Sequence, residues 1–162
     1  MKFDREFLFD LVADVERYPE FVPWWVRASV WKTQGDTYFT RQVVGVAVIR
    51  HEFQSQTVLR RPDRIDVTST DKPFKSLDMR WSFLPSPQGG CDVSLDVDYE
   101  LRTSGYGVLA GIVSGDGIRR LVDAFEGRAY HLQHHGVVHS APTRVEMASG
   151  LEVQPSAPPV RG

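Results

Sequence analysis

The 162-residue chain has a single cysteine, Cys91, so it can form no internal disulfide and no thiolate cage for a metal. That excludes a cysteine-stapled secreted fold and fits a reducing compartment. Surplus charge of either sign is also lacking. Nineteen Lys and Arg face 21 Asp and Glu, a net charge of −2, too little positive charge to hold a polyanion by counterion release alone. DNA is not an expected partner. Long hydrophobic runs are missing: the longest mostly apolar stretch, Val43 to Ile49, falls far short of the roughly 20 residues that span a bilayer. The start, MKFDREFLFDLVADVE, has neither the basic and continuously apolar regions of a signal peptide nor the acid-poor composition of a transit peptide. The chain reads as soluble, intracellular and cytoplasmic.

What is present is ordinary globular composition, 41% apolar and 11% aromatic, enough for one compact domain. Periodicity predicts a helix over residues 4–18, with Asp4 as its cap and Phe7, Leu8, Leu11, Val12 and Val15 on one face, stopped by Pro19. YPEFVPWWV then reads as an irregular corner. From Val26 to Thr103 short β-rich runs alternate with turn signals at 34–36, around Gly45, at 61–64 and at 86–90, which predicts about six antiparallel strands. In CDVSLDVDYEL, Val93, Leu95, Val97, Tyr99 and Leu101 share one face; Asp92, Asp96, Asp98 and Glu100 share the solvated one, partly paired with Arg60 and Arg80. Met79, Trp81 and Phe83 can meet the apolar set across SPQGG. Ile118, Leu121, Val122, Phe125, Ala129 and Leu132 mark a long second helix whose only adequate apolar partner is the inner sheet face. The expected domain is therefore 1–135, α+β, with a disordered tail over 136–162 that holds four of the ten prolines.

Motifs with catalytic or metal-binding overtones resolve into plainer readings. His131, His134, His135 and His139 have some i, i+4 spacings suited to a metal, but they lie on a fraying helix end and read as solvated, with no metal site expected. GYGVLAG meets the loose glycine pattern of dinucleotide sites without the buried parallel strand or ribose-binding acid; it reads as a mobile lid or a loosely packed helix start. Ser104 and Ser114 lack a nucleophile-elbow context. The aromatic supply is more telling. Trp24, Trp25, Phe53, Phe74, Trp81, Phe83 and Tyr99 converge on one sheet face and one corner, either as core or as the wall of an apolar ligand cavity.

LFDLVADVERYPEFVPWW (8–25), DKPFKSLDMRWSF (71–83) and LVDAFEGRAY (121–130) resemble the coenzyme Q-binding branch of the START-like, polyketide cyclase-like superfamily, which also holds bacterial relatives named as ribosome-association toxins. The resemblance covers about residues 4–135 and implies a helix-grip fold, a curved antiparallel sheet wrapped around the C-terminal helix, here apparently without the first edge strand of the family. It implies a non-enzymatic role: binding and delivery of ubiquinone, or a similar polyprenyl quinone, in support of respiratory electron transport and quinone biosynthesis. No catalytic residue, catalytic cofactor or metal is expected, and ubiquinone is the bound ligand. The tunnel wall would come from Phe21, Trp24, Trp25, Phe53, Phe74 and Leu77, together with Trp81, Phe83, Val97 and Tyr99 of the sheet. Leu109, Val122 and Phe125 would close it, with 106–113 gating access near a membrane surface. Lys75, Tyr99 and the Trp81 indole are the head-group candidates. Transient contact with a membrane surface follows, at the bacterial inner membrane or on the matrix side of the mitochondrial one. Two alternatives keep the fold: a ribosome-associated factor acting through its surface, and a cyclase-like enzyme, which the apolar inward positions disfavour. A tunnel of several hundred Å³ would favour cargo, and a filled core would favour surface action.

Overall fold

The computed structural model describes residues 3–103 and 106–136. Helix α1 (Arg5–Ala13) starts as expected, with the Asp4 carboxylate accepting the Phe7 N–H at 3.4 Å. It ends earlier than periodicity predicts. Asp14 leaves the helical region (φ −91°, ψ 70°), and Val15–Glu20 continues as a 3-10 turn that contains Pro19. The reason lies in the core. The buried Tyr18 hydroxyl donates to the Val12 carbonyl at 2.5 Å, and Tyr38 donates to the Ala13 carbonyl at 2.7 Å. A longer helix would have given those carbonyls to the backbone of Glu16 and Arg17.

Six strands follow in a simple antiparallel meander, β1 (Trp25–Gln34), β2 (Thr37–Val46), β3 (Ile49–Arg60), β4 (Arg64–Ser69), β5 (Phe74–Pro85) and β6 (Cys91–Leu101). Three of the four expected turns stand where predicted. The fourth does not: Gly45 lies inside β2, and the reversal comes at Ala47 and Val48, with Val46 paired to Ile49. A Cβ on Gly45 would run into the Ile49 carbonyl, so glycine serves close backbone approach there and not the turn itself. Among the described residues no strand precedes α1, which leaves β1 as a sheet edge.

Register builds the inner face. One row runs Tyr38, Thr57, Val67, Met79 and Val97 across five strands, and the next runs Leu59, Ile65, Trp81 and Leu95. Met79, Trp81 and Phe83 do meet Val97, Leu95 and Val93. On the outer face the expected pairing of the β6 acids with Arg60 and Arg80 gives way to another. Arg60, Arg64 and Arg80 gather on Asp66 of β4, at 3.1, 3.1 and 3.2 Å. Arg80 stands between Asp66 across the β4–β5 pair and Asp96 across the β5–β6 pair, and its guanidinium turns to Asp66. Partial burial raises its carboxyl, but the three guanidiniums outweigh that and hold it below the usual aspartate value.

Short helix α2 (Gly107–Ile112) leads into α3 (Gly115–His131), whose Ser114 cap accepts the Gly117 N–H at 3.2 Å. Gly117 has no room for a Cβ against the Gly111 and Ile112 carbonyls, which sets the tight α2–α3 corner. The predicted stripe Leu121, Val122, Phe125 and Ala129 is buried. Phe125 meets Tyr18, Phe21 and Trp81 edge to face, with ring centroids 5.0, 5.0 and 5.2 Å away. Leu132–Gly136 closes the described chain in a π turn. The expected tail, beyond Gly136, lies outside the described residues, as do Ser104 and His139.

Replacing Phe125 by Ala removes a ring that is 0% exposed, so the unfolding free energy should drop by about 3–5 kcal/mol in urea titrations, and Phe125→Leu should cost clearly less. A loss below about 1 kcal/mol would show that this ring does not hold α3 to the sheet.

Candidate functional site

The inner face of the sheet, the 3-10 turn and α3 enclose a cavity of about 40 Å³. The expected tunnel of several hundred Å³ is therefore absent from this conformation. Aromatic rings, Met79 and Leu121 interdigitate in the space an open grip would leave, and what remains admits water-sized molecules but no quinone ring.

Four expected wall residues, Trp25, Phe53, Leu77 and Trp81, line the cavity. Others stand around it. Phe21 and Phe125 pack on each other behind Tyr18, and Val122 is buried on α3. Phe53, Phe74, Leu77 and Leu109 form a second core with Val44 beneath α2, with Val97 at its border. Phe83 instead turns toward α1, its ring 5.4 Å from Phe9. Trp24 is half-buried, and its indole nitrogen is buried with no hydrogen-bond partner among the described residues.

Two head-group candidates do not face the cavity. Lys75 is an exposed residue of β5, its amine 3.5 Å from the Glu100 carboxylate, because the bulge between Phe74 and Ser76 turns it outward. Tyr99 shares the inner register of Leu77 but is 39% exposed. Trp81, 2% exposed, does line the cavity.

Sequence reasoning missed the polar part of the interior. Thr40, Gln42, Ser55 and Thr57 are all buried on the inner face of β2 and β3. Gln42 accepts the Trp25 indole N–H at 2.9 Å and donates to the Thr40 and Ser55 hydroxyls at 2.8 and 3.0 Å; those hydroxyls lie 2.6 Å apart. The inner face is thus less apolar than expected. The signal was there in the alternation of Thr40 with Gln42 and of Ser55 with Thr57, but polar residues on both faces of these strands hide which side is buried. Chemically the cluster offers neutral amide, indole and hydroxyl groups, and the cavity lining contains no carboxylate, histidine or lysine.

Several ionisable groups reflect how dry the interior is. Burial pushes the Tyr18 hydroxyl well up, with Tyr38 and Asp14 adding to it. Burial likewise raises Tyr38 despite its hydrogen bond with Thr57. The Cys91 thiol, 0% exposed, is pushed up to about 12, mainly by burial, which leaves it neutral and inert at physiological pH. Among the described residues no group of three or more His, Cys, Asp or Glu is arranged to hold a metal. The glycine segment is α2 and the corner leading into α3, with no parallel strand before it. No helix among the described residues is long and apolar enough to cross a membrane.

An antiparallel sheet closed by a C-terminal helix over this inner face defines a START-like α+β helix-grip fold. A family model described as Polyketide cyclase / dehydrase and lipid transport matches residues 1–126, and the chain belongs to that family. Ribosome association toxin RatA of Vibrio cholerae is 31% identical over 130 residues, which are 80% of this chain and 90% of the relative. Coenzyme Q-binding protein COQ10 homolog B, mitochondrial, of Xenopus laevis is 27% identical over 149 residues, 88% of this chain and 61% of that protein. The crystal structure of TTHA0849 from Thermus thermophilus superposes with a TM-score of 0.61 at 19% identity, covering 80% of this chain and 86% of that one.

The buried hydroxyls and thiol give the fold an alkaline limit. Tyr18, Tyr38 and Cys91 all ionise later in the folded protein than their ordinary values of 10.0, 10.0 and 9.0, so below about pH 9 each is neutral in both states and stability does not change through them. Above that the unfolded chain loses its protons first, and stability falls by up to about 1.4 kcal/mol per pH unit for each group. Urea midpoints should stay level from about pH 7 to 9 and then decline, with a shallower initial decline for Cys91→Ala. A profile still level at about pH 11 would contradict the burial of these groups.

Proposed function

We propose that the chain is a non-enzymatic lipid-binding protein whose cargo is ubiquinone or a similar polyprenyl quinone, taken up from and delivered to membranes in support of respiration and quinone biosynthesis. The observation that carries this reading is the neutral polar cluster of Trp25, Thr40, Gln42 and Ser55 set in an otherwise aromatic interior beside the cavity. A core built for stability alone gains little from burying four polar side chains. A quinone head needs one or two neutral donors for its carbonyls and an apolar surround; the Trp25 indole and Gln42 amide orient the Thr40 and Ser55 hydroxyls, of which only one donates to the other, so one O–H is left for a carbonyl.

The tail has a matching route. From Phe53 and Leu77 the apolar surface continues through Phe74 and Val44 to Leu109 under α2. Each isoprenoid methylene buried along it would contribute roughly 0.8 kcal/mol. Because the cavity is about 40 Å³, loading requires the cover to move. Helix α2 suits that role: it has six residues, no side-chain cap and one fully buried side chain, Leu109. The Xenopus relative, a coenzyme Q-binding protein by name, supports a quinone, and the family description supports lipid transport.

A second reading rests on the same small volume. A filled interior favours action through the surface, and relatives named for ribosome association supply the partner for that case. The two separate cleanly. Organic extraction of natively purified protein followed by mass spectrometry should recover a quinone, and Gln42→Leu should lower its recovery about tenfold by removing the hydrogen bonds that orient the Thr40 and Ser55 hydroxyls. Repeated recovery of unrelated lipid or of nothing, with salt-resistant migration alongside ribosomal subunits in a gradient, would displace the first reading in favour of the second.

A further inference from the structure

The β2–β3 hairpin carries apolar residues where a hairpin tip ordinarily carries Asn, Asp or Gly. Val46, Val48 and Ile49 are 55%, 91% and 48% exposed, and Val48 is the most exposed large hydrophobic side chain among the described residues. The turn is also strained. Ala47 sits at φ 56°, a left-handed conformation that favours glycine, so the tip is kept apolar against the preference of its own backbone. Such a departure at an exposed position points to contact with something else.

Charge indicates what. Arg50 is the only formally charged side chain between Arg41 and Glu52, and its Nε donates to the Ala47 carbonyl at 3.3 Å, which holds the cation beside the tip. The neighbouring element repeats the pattern. Tyr106, at the start of α2, packs its ring 5.2 Å from that of His51, and residues 106–115 contain no charged side chain at all. Tip and α2 together form an apolar, glycine-containing end marked by one cation and no acid within either segment. Three aliphatic side chains on a narrow turn cannot supply the roughly 800 Å² per partner of a stable protein interface. A bilayer has no such requirement: its interfacial layer accepts isolated apolar wedges about 5–10 Å deep, and anionic headgroups attract a flanking arginine.

We propose that the β2–β3 tip inserts Val46, Val48 and Ile49 into the interfacial layer of an anionic membrane, with Arg50 against lipid phosphates, and so sets the α2 cover at the surface where lipid cargo crosses. The proposal rests on the lipid-binding reading above for its purpose, and on the hairpin alone for its geometry. It is tested by flotation of the full chain with vesicles of phosphatidylcholine, with and without phosphatidylglycerol. The wild type should float with the anionic vesicles and much less with the neutral ones. Val48→Asp should weaken that binding at least about tenfold. Ala47→Gly combined with Val48→Asn puts glycine at the one left-handed position of the turn and a polar residue at its tip, so it should keep or raise the unfolding midpoint while also losing the vesicles.

Quinone recovery, measured separately by extraction, keeps the two readings apart. A wild type that floats but carries no quinone leaves this proposal standing and removes the cargo. A wild type that fails to float, or floats equally with neutral vesicles, overturns it, as do variants that float like the wild type. A concentration-dependent dimer in sedimentation equilibrium that Val48→Asp abolishes would also overturn it, assigning the tip to a second copy of the chain.

Discussion

The docking of Phe125 among Tyr18, Phe21 and Trp81 is the contact on which the rest of the molecule depends. It ties three parts of the chain that are distant in sequence: the last helix, the 3-10 corner and the middle of the sheet. Offset and edge-on ring pairs add stabilisation beyond their buried area, and they also fix orientation. With Tyr18 held in this way, its hydroxyl points to the Val12 carbonyl, and Tyr38 closes the next one at Ala13. The end of α1 is therefore determined by side chains of the corner and of β2. Arg128 strengthens the same junction, with its guanidinium 2.6 Å from Glu20 and over the Phe21 ring.

Around this junction the interior divides in two. On the α1 side the packing is dense and apolar, with Phe9 against Phe83 and Cys91 sealed beneath. Toward β2 and β3 it becomes polar, and the members of the Gln42 network hydrogen-bond one another. That contrast gives the site its character. Dry aromatic walls supply affinity for apolar matter without selectivity, whereas a small set of oriented neutral donors distinguishes one polar head from another. The lining carries the hydroxyls of Tyr18 and Tyr38 but no carboxylate, histidine or lysine.

Stability is unevenly spread along the grip. Helix α3 is anchored by four buried side chains besides Gly117, whereas α2 rests on Leu109. Elements held by few buried contacts open at low cost, so α2 is the easier of the two helices to lift from the sheet. The small closed cavity and the light cover are two aspects of one arrangement. Under the proposed lipid-binding function, an empty state that buries its own apolar surface would favour release of cargo.

The fold was largely legible in the order of residues. Alternation in β5 and β6 fixed which side chains meet, since a one-residue slip would have turned Trp81 and Val93 to solvent. The 3.6-residue stripe of α3 demanded a sheet to cover it. Local pattern carries such information because burial on one face repeats at the period of the element. What pattern could not supply was anything decided by a partner far along the chain. The early end of α1 came from hydroxyls of Tyr18 and Tyr38. The outward turn of Lys75 came from a bulge. Burial of Gln42 and its neighbours was hidden because Thr, Ser and Gln suit either face until register and a Trp25 donor select one. The sequence by itself thus determined the elements, their order and the apolar surface they must share. Only tertiary structure decided how much space that surface leaves and which polar groups face it, because volume and hydrogen bonding depend on side chains brought together from separate strands.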